Sequence, residues 1–258
     1  MTKLIQIRDY IIAIVLLVLA WQVYITLFNV PLYVLPSPLE VGTAFWNMVT
    51  SKDIFLHFGV TFSEVLIGFI IGSLFGFAVG YLISKVKMIE DALMPYILIA
   101  QTAPKIALAP LFVIWFGLGL LSKIVLIVSM VFFPVMLGTM FGLKDISYNL
   151  KCLMKITGLN WWQRIFQIEL PHSLPFIFSG LKVGMIQAVI AAIVAEWISG
   201  QNGLGFLLIF SSTTYDSAGL FSAIIYTIIL GVMYFQLINI LENKFLFWHE
   251  SKQFQNKN

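Results

Sequence analysis

Residues Thr61–Ile83 read TFSEVLIGFIIGSLFGFAVGYLI, and this segment decides the fold class of the chain. Glu64 is the only Asp, Glu, Lys or Arg within it. A helix needs roughly 20 apolar residues to cross about 30 Å of hydrocarbon. The segment is therefore predicted to be a transmembrane helix.

Five further segments of the same kind lie before and after it in the chain. Each is an apolar run bounded by charged or turn-forming residues. Together with Thr61–Ile83 they predict six membrane spans, and hence an all-α integral membrane protein. The other five segments are Tyr10–Phe28, Ala92–Trp115, Leu121–Leu143, Phe176–Ser199 and Leu220–Leu241.

The composition of the whole chain excludes several other classes of protein. Of 258 residues, 60% are hydrophobic and 10% are charged, whereas soluble domains carry about 25% charged residues. This excludes a soluble enzyme, a disordered tail and a fibrous repeat. The net charge of +3 is far from that of a nucleic-acid-binding protein. Cys152 is the single cysteine, so no internal disulfide is expected.

The distribution of Lys and Arg predicts that both termini lie in the cytoplasm. With that orientation, eleven basic residues fall in cytoplasmic segments and only Lys52 and Lys123 fall outside. The first span could be mistaken for a signal peptide. It is too long for the apolar core of one and lacks a small-residue cleavage site, so we expect it to be retained.

The long cytoplasmic loop, Lys144–Pro175, has the pattern of two short amphipathic helices that meet at Gly158. One apolar stripe precedes this glycine and another follows it. Glycine adopts the left-handed conformation that ends many helices. Such helices lie either in the headgroup layer of the membrane or with their apolar faces in a groove of a partner protein. The spacing alone fits both interpretations.

Several motifs in this order resemble the permease subunits of ABC importers, in the nitrate, sulfonate and taurine branch. The long cytoplasmic loop resembles the EAA loop of that family, which is written EAA-x3-G-x9-I-x-LP. The matching residues are Gly158 and, after nine intervening residues, Ile168-x-Leu170-Pro171. The remaining matching motifs are Leu35-Pro36-Ser37-Pro38, Thr102–Lys123, Ala195-Glu196-Trp197 and Gly203-Leu204-Gly205.

The resemblance implies a type I ABC importer permease fold, with six transmembrane helices per subunit and a cytoplasmic coupling helix between spans 4 and 5. It implies a permease homodimer in the bacterial cytoplasmic (inner) membrane, a dimer of ABC ATPase subunits and an external solute-binding protein. ATP and Mg²⁺ would bind the ATPase, so this chain is expected to hold no cofactor and to be no enzyme. The implied ATPase-coupling residues are Leu150, Leu153, Met154, Gly158, Trp161, Trp162, Ile165, Phe166, Ile168, Leu170 and Pro171.

On this basis the chain divides into three parts. Residues 1–54 hold the first span and an external loop, 55–247 form the permease transmembrane domain, and 248–258 form a cytoplasmic tail.

The sequence departs from the family pattern at the start of the loop, and it leaves the solute open. Cys152, Leu153 and Met154 stand where the EAA triplet is expected, so the acidic residue that can contact the ATPase is missing. The permeases of this branch import sulfonates such as taurine, or nitrate. The resemblance therefore suggests a small anionic solute. The stretch Pro104–Gly117 also resembles relatives that carry a pyrimidine precursor of thiamine or a flavin.

A stripe of small residues follows one face of the second span. Gly68, Gly72, Gly76 and Gly80 recur at every fourth position, and small residues at this interval let helices approach closely in lipid. They predict either tight packing within the subunit or a sliding or subunit-contact surface.

Polar residues within the spans are the candidates for the translocation path. Pro104 and Pro110 interrupt the third span and flank Lys105. A buried ammonium is costly in a membrane, so we expect Lys105 to line a cavity, to pair with Glu64 or Glu196, or to reach the interface. Glu196 and Glu64, near the outer ends of their spans, fit either a gate or interhelix element or a plain interfacial charge.

No catalytic or metal-binding motif is present in the sequence. There is no G-x-x-x-x-G-K-[ST] motif for nucleotide phosphates, and the three histidines do not have the spacing of metal ligands. This argues against an intramembrane protease or lipid-modifying enzyme. A structural membrane scaffold is the third alternative.

Overall fold

The computed structural model describes residues 2–246, and within them every regular element is helical. The predicted tail, 248–258, lies outside the described residues. The first half contains α1 (Thr2–Phe28), α2 (Pro38–Thr50), α3 (Asp53–Ser84), α4 (Lys87–Thr102), a 3₁₀ turn (Lys105–Leu108), α5 (Ala109–Phe116) and α6 (Leu120–Lys144). The second half contains α7 (Tyr148–Ile156), α8 (Trp161–Arg164), a π-turn (Ile165–Glu169), α9 (Leu170–Ser199), α10 (Leu204–Thr213) and α11 (Ser217–Phe245).

Four of these helical stretches are long and apolar enough to cross a membrane: α3, α6, α11 and the continuous Trp161–Ser199 stretch. The pair α4 and α5 qualifies as a fifth span if its two parts, bent by 76°, are counted together. In α1 the apolar part, Ile12–Phe28, is shorter. The protein is thus an all-helical, multi-pass membrane protein, and the count of six spans stays a prediction.

The core of the fold is the packing of α6 between α3 and α9. Val65, Ile127, Val131, Ala188 and Ala192 are fully buried there. The helix α11 packs against α2, α9 and α10 at the side of this core. Because lipid tails are as apolar as these side chains, the close fit of helix surfaces contributes more than hydrophobicity does.

The break in the third predicted span lies between α4 and the 3₁₀ turn. Ala103, with φ −58° and ψ 138°, has left the helical conformation just before Pro104. A proline lacks an N–H and disfavours helix at the residue before it. The backbone therefore turns at this position, as the two prolines predict.

The glycine stripe of α3 lies directly against α6. A Cβ atom at Gly68 would stand 2.4 Å from Ile127, and one at Gly72 would stand 2.8 Å from Val131. At Gly76 and Gly80 it would stand 2.6 Å from the backbone oxygens of Phe132 and Met136, in that order. The stripe thus packs inside the subunit, with two helix backbones nearly in contact.

We expect Gly76→Ala to lower the free energy of unfolding by about 1–3 kcal/mol, since the new methyl group must push two backbones apart. Gly231→Ala on α11 is the matched control, because a Cβ there has nothing within 4 Å. Thermal melting of the detergent-solubilised chain measures the difference. Equal melting temperatures for the two variants would show that α3 and α6 are not held this closely.

Candidate functional site

The segment formed by α8 and the π-turn, Trp161–Glu169, presents three aromatic rings to the outside. Trp161, Trp162 and Phe166 are 58%, 61% and 58% exposed; we call them the aromatic ridge. The centroids of Trp161 and Trp162 lie 4.7 Å apart, and those of Trp162 and Phe166 lie 5.8 Å apart with stacked rings. Asn160 starts α8 by accepting a hydrogen bond from the backbone N–H of Gln163, which fixes where the ridge begins.

The rest of the predicted coupling residues divide between the surface and the interior. Gly158, in the turn between α7 and α8, has φ +61° and is exposed. Met154 and Ile165 are buried and hold the segment to the bundle, whereas Leu153 on the same predicted stripe is exposed. The half-buried members are Leu150, Ile168, Leu170 and Pro171.

The second predicted amphipathic helix is not a separate element. The chain runs from Trp161 to Ser199 as one helical stretch that contains a π-turn. In this turn the N–H of Leu170 donates to the carbonyl of Ile165, five residues back. The wider turn accommodates Pro171, which has no N–H to donate. Of the two short helices predicted for this loop, only α7 is a separate helix.

A buried carboxylate that the sequence analysis missed ties this segment to α3. Glu169 Oε2 accepts hydrogen bonds from Lys85 Nζ at 2.6 Å and from the Tyr81 hydroxyl at 2.9 Å. Its Oε1 accepts one from Arg164 Nε at 2.7 Å. Glu169 is 2% exposed. It is the only carboxylate between Asp145 and Glu196 and has apolar neighbours, a signal that could have pointed to a buried partner.

Lys105 lines a cavity of about 340 Å³ at the bend between α4 and α5. Its ammonium donates to the carbonyl of Gln101 at 2.7 Å and lies 4.6 Å from the centre of the Phe133 ring. Ammonium–ring contacts of this kind are attractive. The pairing with Glu64 or Glu196 that the sequence allowed is not present. The other residues of this Lys105 cavity include Ala103, Pro104, Met130, Pro134, Val183 and Gln187.

Glu64 instead pairs with Lys123 across the α3–α6 interface. Lys123 Nζ lies 2.6 Å from Glu64 Oε1, and both side chains are buried. Lys123, counted on the external side when the orientation was predicted, lies near the start of α6 with its side chain buried against Glu64. A buried ion pair is tolerated because each charge has its partner.

Glu196 lies close to this pair and joins three helices. It is fully buried, with Oε1 2.7 Å from Thr61 Oγ1 on α3 and Oε2 accepting the N–H of Gly205 at 2.6 Å. Thr61 Oγ1 also accepts the N–H of Leu204 at the start of α10. Glu196 is therefore an interhelix hydrogen-bonding element and not a charge at the interface.

Over residues 2–246, no group of three or more His, Cys, Asp or Glu side chains could hold a metal ion. The candidate site therefore consists of the aromatic ridge, the Glu169 contacts and the Lys105 cavity.

The sequence of the chain matches one family of transport proteins. Residues 68–246 match the family model described as "Binding-protein-dependent transport system inner membrane component". The chain is 31% identical to the riboflavin transport system permease protein RibX of Chloroflexus aurantiacus, over 93% of this chain and 90% of the relative.

Two further relatives are similar over almost the same length. One is the formylaminopyrimidine transport permease protein ThiX of Halalkalibacterium halodurans, 31% identical over 92% of this chain and 94% of the relative. The other is the putative aliphatic sulfonates transport permease protein SsuC of Bacillus subtilis, 30% identical over 90% of this chain and 84% of the relative.

Proposed function

Because this chain belongs to the family of binding-protein-dependent inner membrane components, in its nitrate, sulfonate and taurine branch, we propose that it is the transmembrane permease subunit of an ATP-driven importer. In this proposal two copies of the chain form the pathway. A dimer of ABC ATPase subunits binds from the cytoplasm, and an external binding protein delivers the solute. The membrane is the bacterial inner membrane, with both termini in the cytoplasm.

The observation that carries the coupling role is the exposed aromatic ridge. Large aromatic side chains anchor protein–protein contacts when they enter pockets of a partner. Trp161, Trp162 and Phe166 are exposed side chains of this kind, and they follow the capped start of α8 at Asn160. We assign the ridge to the ATPase contact, in place of the acidic residue that the EAA pattern would provide.

Closure of the ATPase dimer on ATP would move this segment, and the spans would follow. For such a switch, ATP must bind one state more tightly than the other by several kcal/mol. Glu169 supports this role, because its bonds to Lys85 and Tyr81 connect the segment to the end of α3. Displacement of the segment would therefore act directly on a spanning helix.

Co-purification tests the proposal most directly. We expect the chain to co-purify with an ABC ATPase, and the complex in liposomes to accumulate solute only when ATP is supplied. The chain alone should carry nothing against a gradient. Turnover of a lipid or peptide by the isolated chain would favour an intramembrane enzyme, and a cytoplasmic loop without any partner would favour a scaffold.

We assign the Lys105 cavity to the solute pathway, with a small anionic organic solute as the first candidate. The single ammonium provides attraction for an anion, and irregular backbone within the membrane is tolerated where it lines a cavity. Pro104 provides that irregular backbone. Glu64 and Glu196, also candidates for the path, are occupied by Lys123 and Thr61, so we assign them to holding the helices together near the gate.

Lys105→Met should reduce the uptake of an anionic solute by about tenfold or more, because removal of one favourable charge contact costs 1.4 kcal/mol or more. Basal ATP hydrolysis should stay unchanged. Lys52→Met is the control, since Lys52 is exposed between α2 and α3. An uptake rate and a solute preference equal to those of the control would show that Lys105 has only a structural role.

A heteroaromatic solute is the second candidate, supported by the names of the relatives RibX and ThiX, which refer to riboflavin and formylaminopyrimidine. Phe133, Gln101 and Gln187 in the Lys105 cavity suit the face and the edges of such a ring. Thermal-shift screening of the binding protein that delivers solute to this chain separates the candidates. Stabilisation by taurine, alkanesulfonates or nitrate supports the first, and stabilisation by a pyrimidine or flavin supports the second.

A further inference from the structure

A second cavity, of about 350 Å³, lies at the end of the bundle where α3 and α6 end and α4 and α7 begin. We call it the basic cavity. Five basic and two acidic side chains line it: Lys85, Lys87, Lys144, Lys151, Arg164, Glu90 and Glu169. The charged lining therefore has a formal excess of three positive charges.

Three of the five cations are already engaged with the two carboxylates. Lys85 and Arg164 bind Glu169, and Lys144 lies 2.5 Å from Glu90. Within residues 2–246, Lys87 and Lys151 form no ion pair. Two lysines from different helices thus lie unneutralised at one cavity. Both lysines are exposed, so their ammonium groups are free to contact an anion that enters the cavity.

The surroundings of the basic cavity combine a polar pocket with apolar surface. Leu82, next to the cavity-lining end of α3, and Met88, beside Lys87, are exposed large apolar residues. The cavity also lies where the spanning helices α3 and α6 end, and we expect the lipid headgroups at this level. Basic pockets between spanning helices at this depth are typical binding places for anionic lipid headgroups.

We propose that the basic cavity binds a phosphate group, contributed by the headgroup of an anionic phospholipid or by free phosphate. Lys87 and Lys151 contact the phosphate oxygens directly. For a lipid, the acyl chains lie along the apolar surface that contains Leu82 and Met88. The bound anion neutralises the positive charges of Lys87 and Lys151. It thereby holds α7 against the ends of α3 and α6.

Thermal-shift titration of the purified full chain tests this proposal with three probes: dioctanoyl phosphatidylglycerol, dioctanoyl phosphatidylcholine and inorganic phosphate. A ligand that binds the folded state raises the melting temperature as its concentration rises. We expect phosphatidylglycerol to raise it and phosphatidylcholine not to. A comparable rise with inorganic phosphate identifies the free anion as sufficient, whereas no rise with it identifies the lipid as the ligand.

The variant to compare is Lys87→Gln with Lys151→Gln, which breaks no ion pair of the described chain and should fold normally. We expect its apparent Kd for the effective probe to rise about tenfold or more, from the loss of two surface charges. The control, Lys52→Gln with Lys244→Gln, removes the same charge from residues outside the cavity.

Equal affinity in the two double variants would overturn the proposal, as would a wild-type chain that responds to neither anionic probe. If the Lys87 and Lys151 variant keeps its lipid affinity but no longer co-purifies with the ATPase, the cavity is a protein contact and the proposal is also wrong. None of these outcomes depends on the solute, so the proposal can fail while the permease function stands.

Discussion

Replacement of Gly158 by proline should abolish binding-protein-stimulated ATP hydrolysis by the reconstituted transporter while the chain still inserts in the membrane. Gly158 has φ +61°, and proline fixes φ near −65°. Proline also disfavours the helical conformation of Thr157, the residue before it. The turn between α7 and α8 would therefore have to change, at a cost of about 3 kcal/mol or more. The aromatic ridge would then point in another direction.

Gly158→Asn is the matched control, because asparagine tolerates the left-handed conformation better than most residues. A Cβ at this position meets nothing within 4 Å, so the added side chain has room. We expect this variant to keep most of the stimulated activity. Normal stimulation of ATP hydrolysis in Gly158→Pro would show that the turn does not direct the ridge.

Glu169→Ala should both destabilise the chain and uncouple it from the ATPase. The substitution removes three hydrogen bonds to a buried carboxylate, and a bond to a charged group is worth about 1.5–3 kcal/mol. Lys85 and Arg164 are partly exposed and regain water, so we expect a total loss of about 2 kcal/mol in the free energy of unfolding. Stimulated ATP hydrolysis should fall by about tenfold, because the segment is no longer held to α3.

Melting temperature and ATP hydrolysis, measured on the same preparations, check both effects. Glu169→Gln keeps one acceptor oxygen and should lie between the alanine variant and the native chain. Asp91→Ala, which removes an exposed carboxylate from α4, should change neither quantity. The positioning role is refuted if Glu169→Ala loses stability but retains full stimulation.

The features predicted correctly from the sequence are those that short stretches of chain determine. The break at Ala103 follows from the covalent structure of Pro104, and the left-handed turn follows from Gly158. Apolar runs of sufficient length likewise predict where the long helices lie.

The features that were missed depend on contacts between distant parts of the chain. The Glu64–Lys123 ion pair was not predicted, because the two residues are 59 positions apart in the chain. Glu169 was overlooked because Lys85 is 84 residues away.

The near contact of backbones at Gly76 and Gly80 limits which motions this subunit can make. Helices slide past each other when the side chains between them change rotamer, and at Gly76 and Gly80 α3 contributes no side chain that could do so. We therefore expect α3 and α6 to travel as one rigid body throughout the transport cycle. Alternating access would then have to come from the bent α4–α5 arm and from α11, whose contacts with the core are fewer. Distances measured by spin labels should change between these parts and stay constant between α3 and α6.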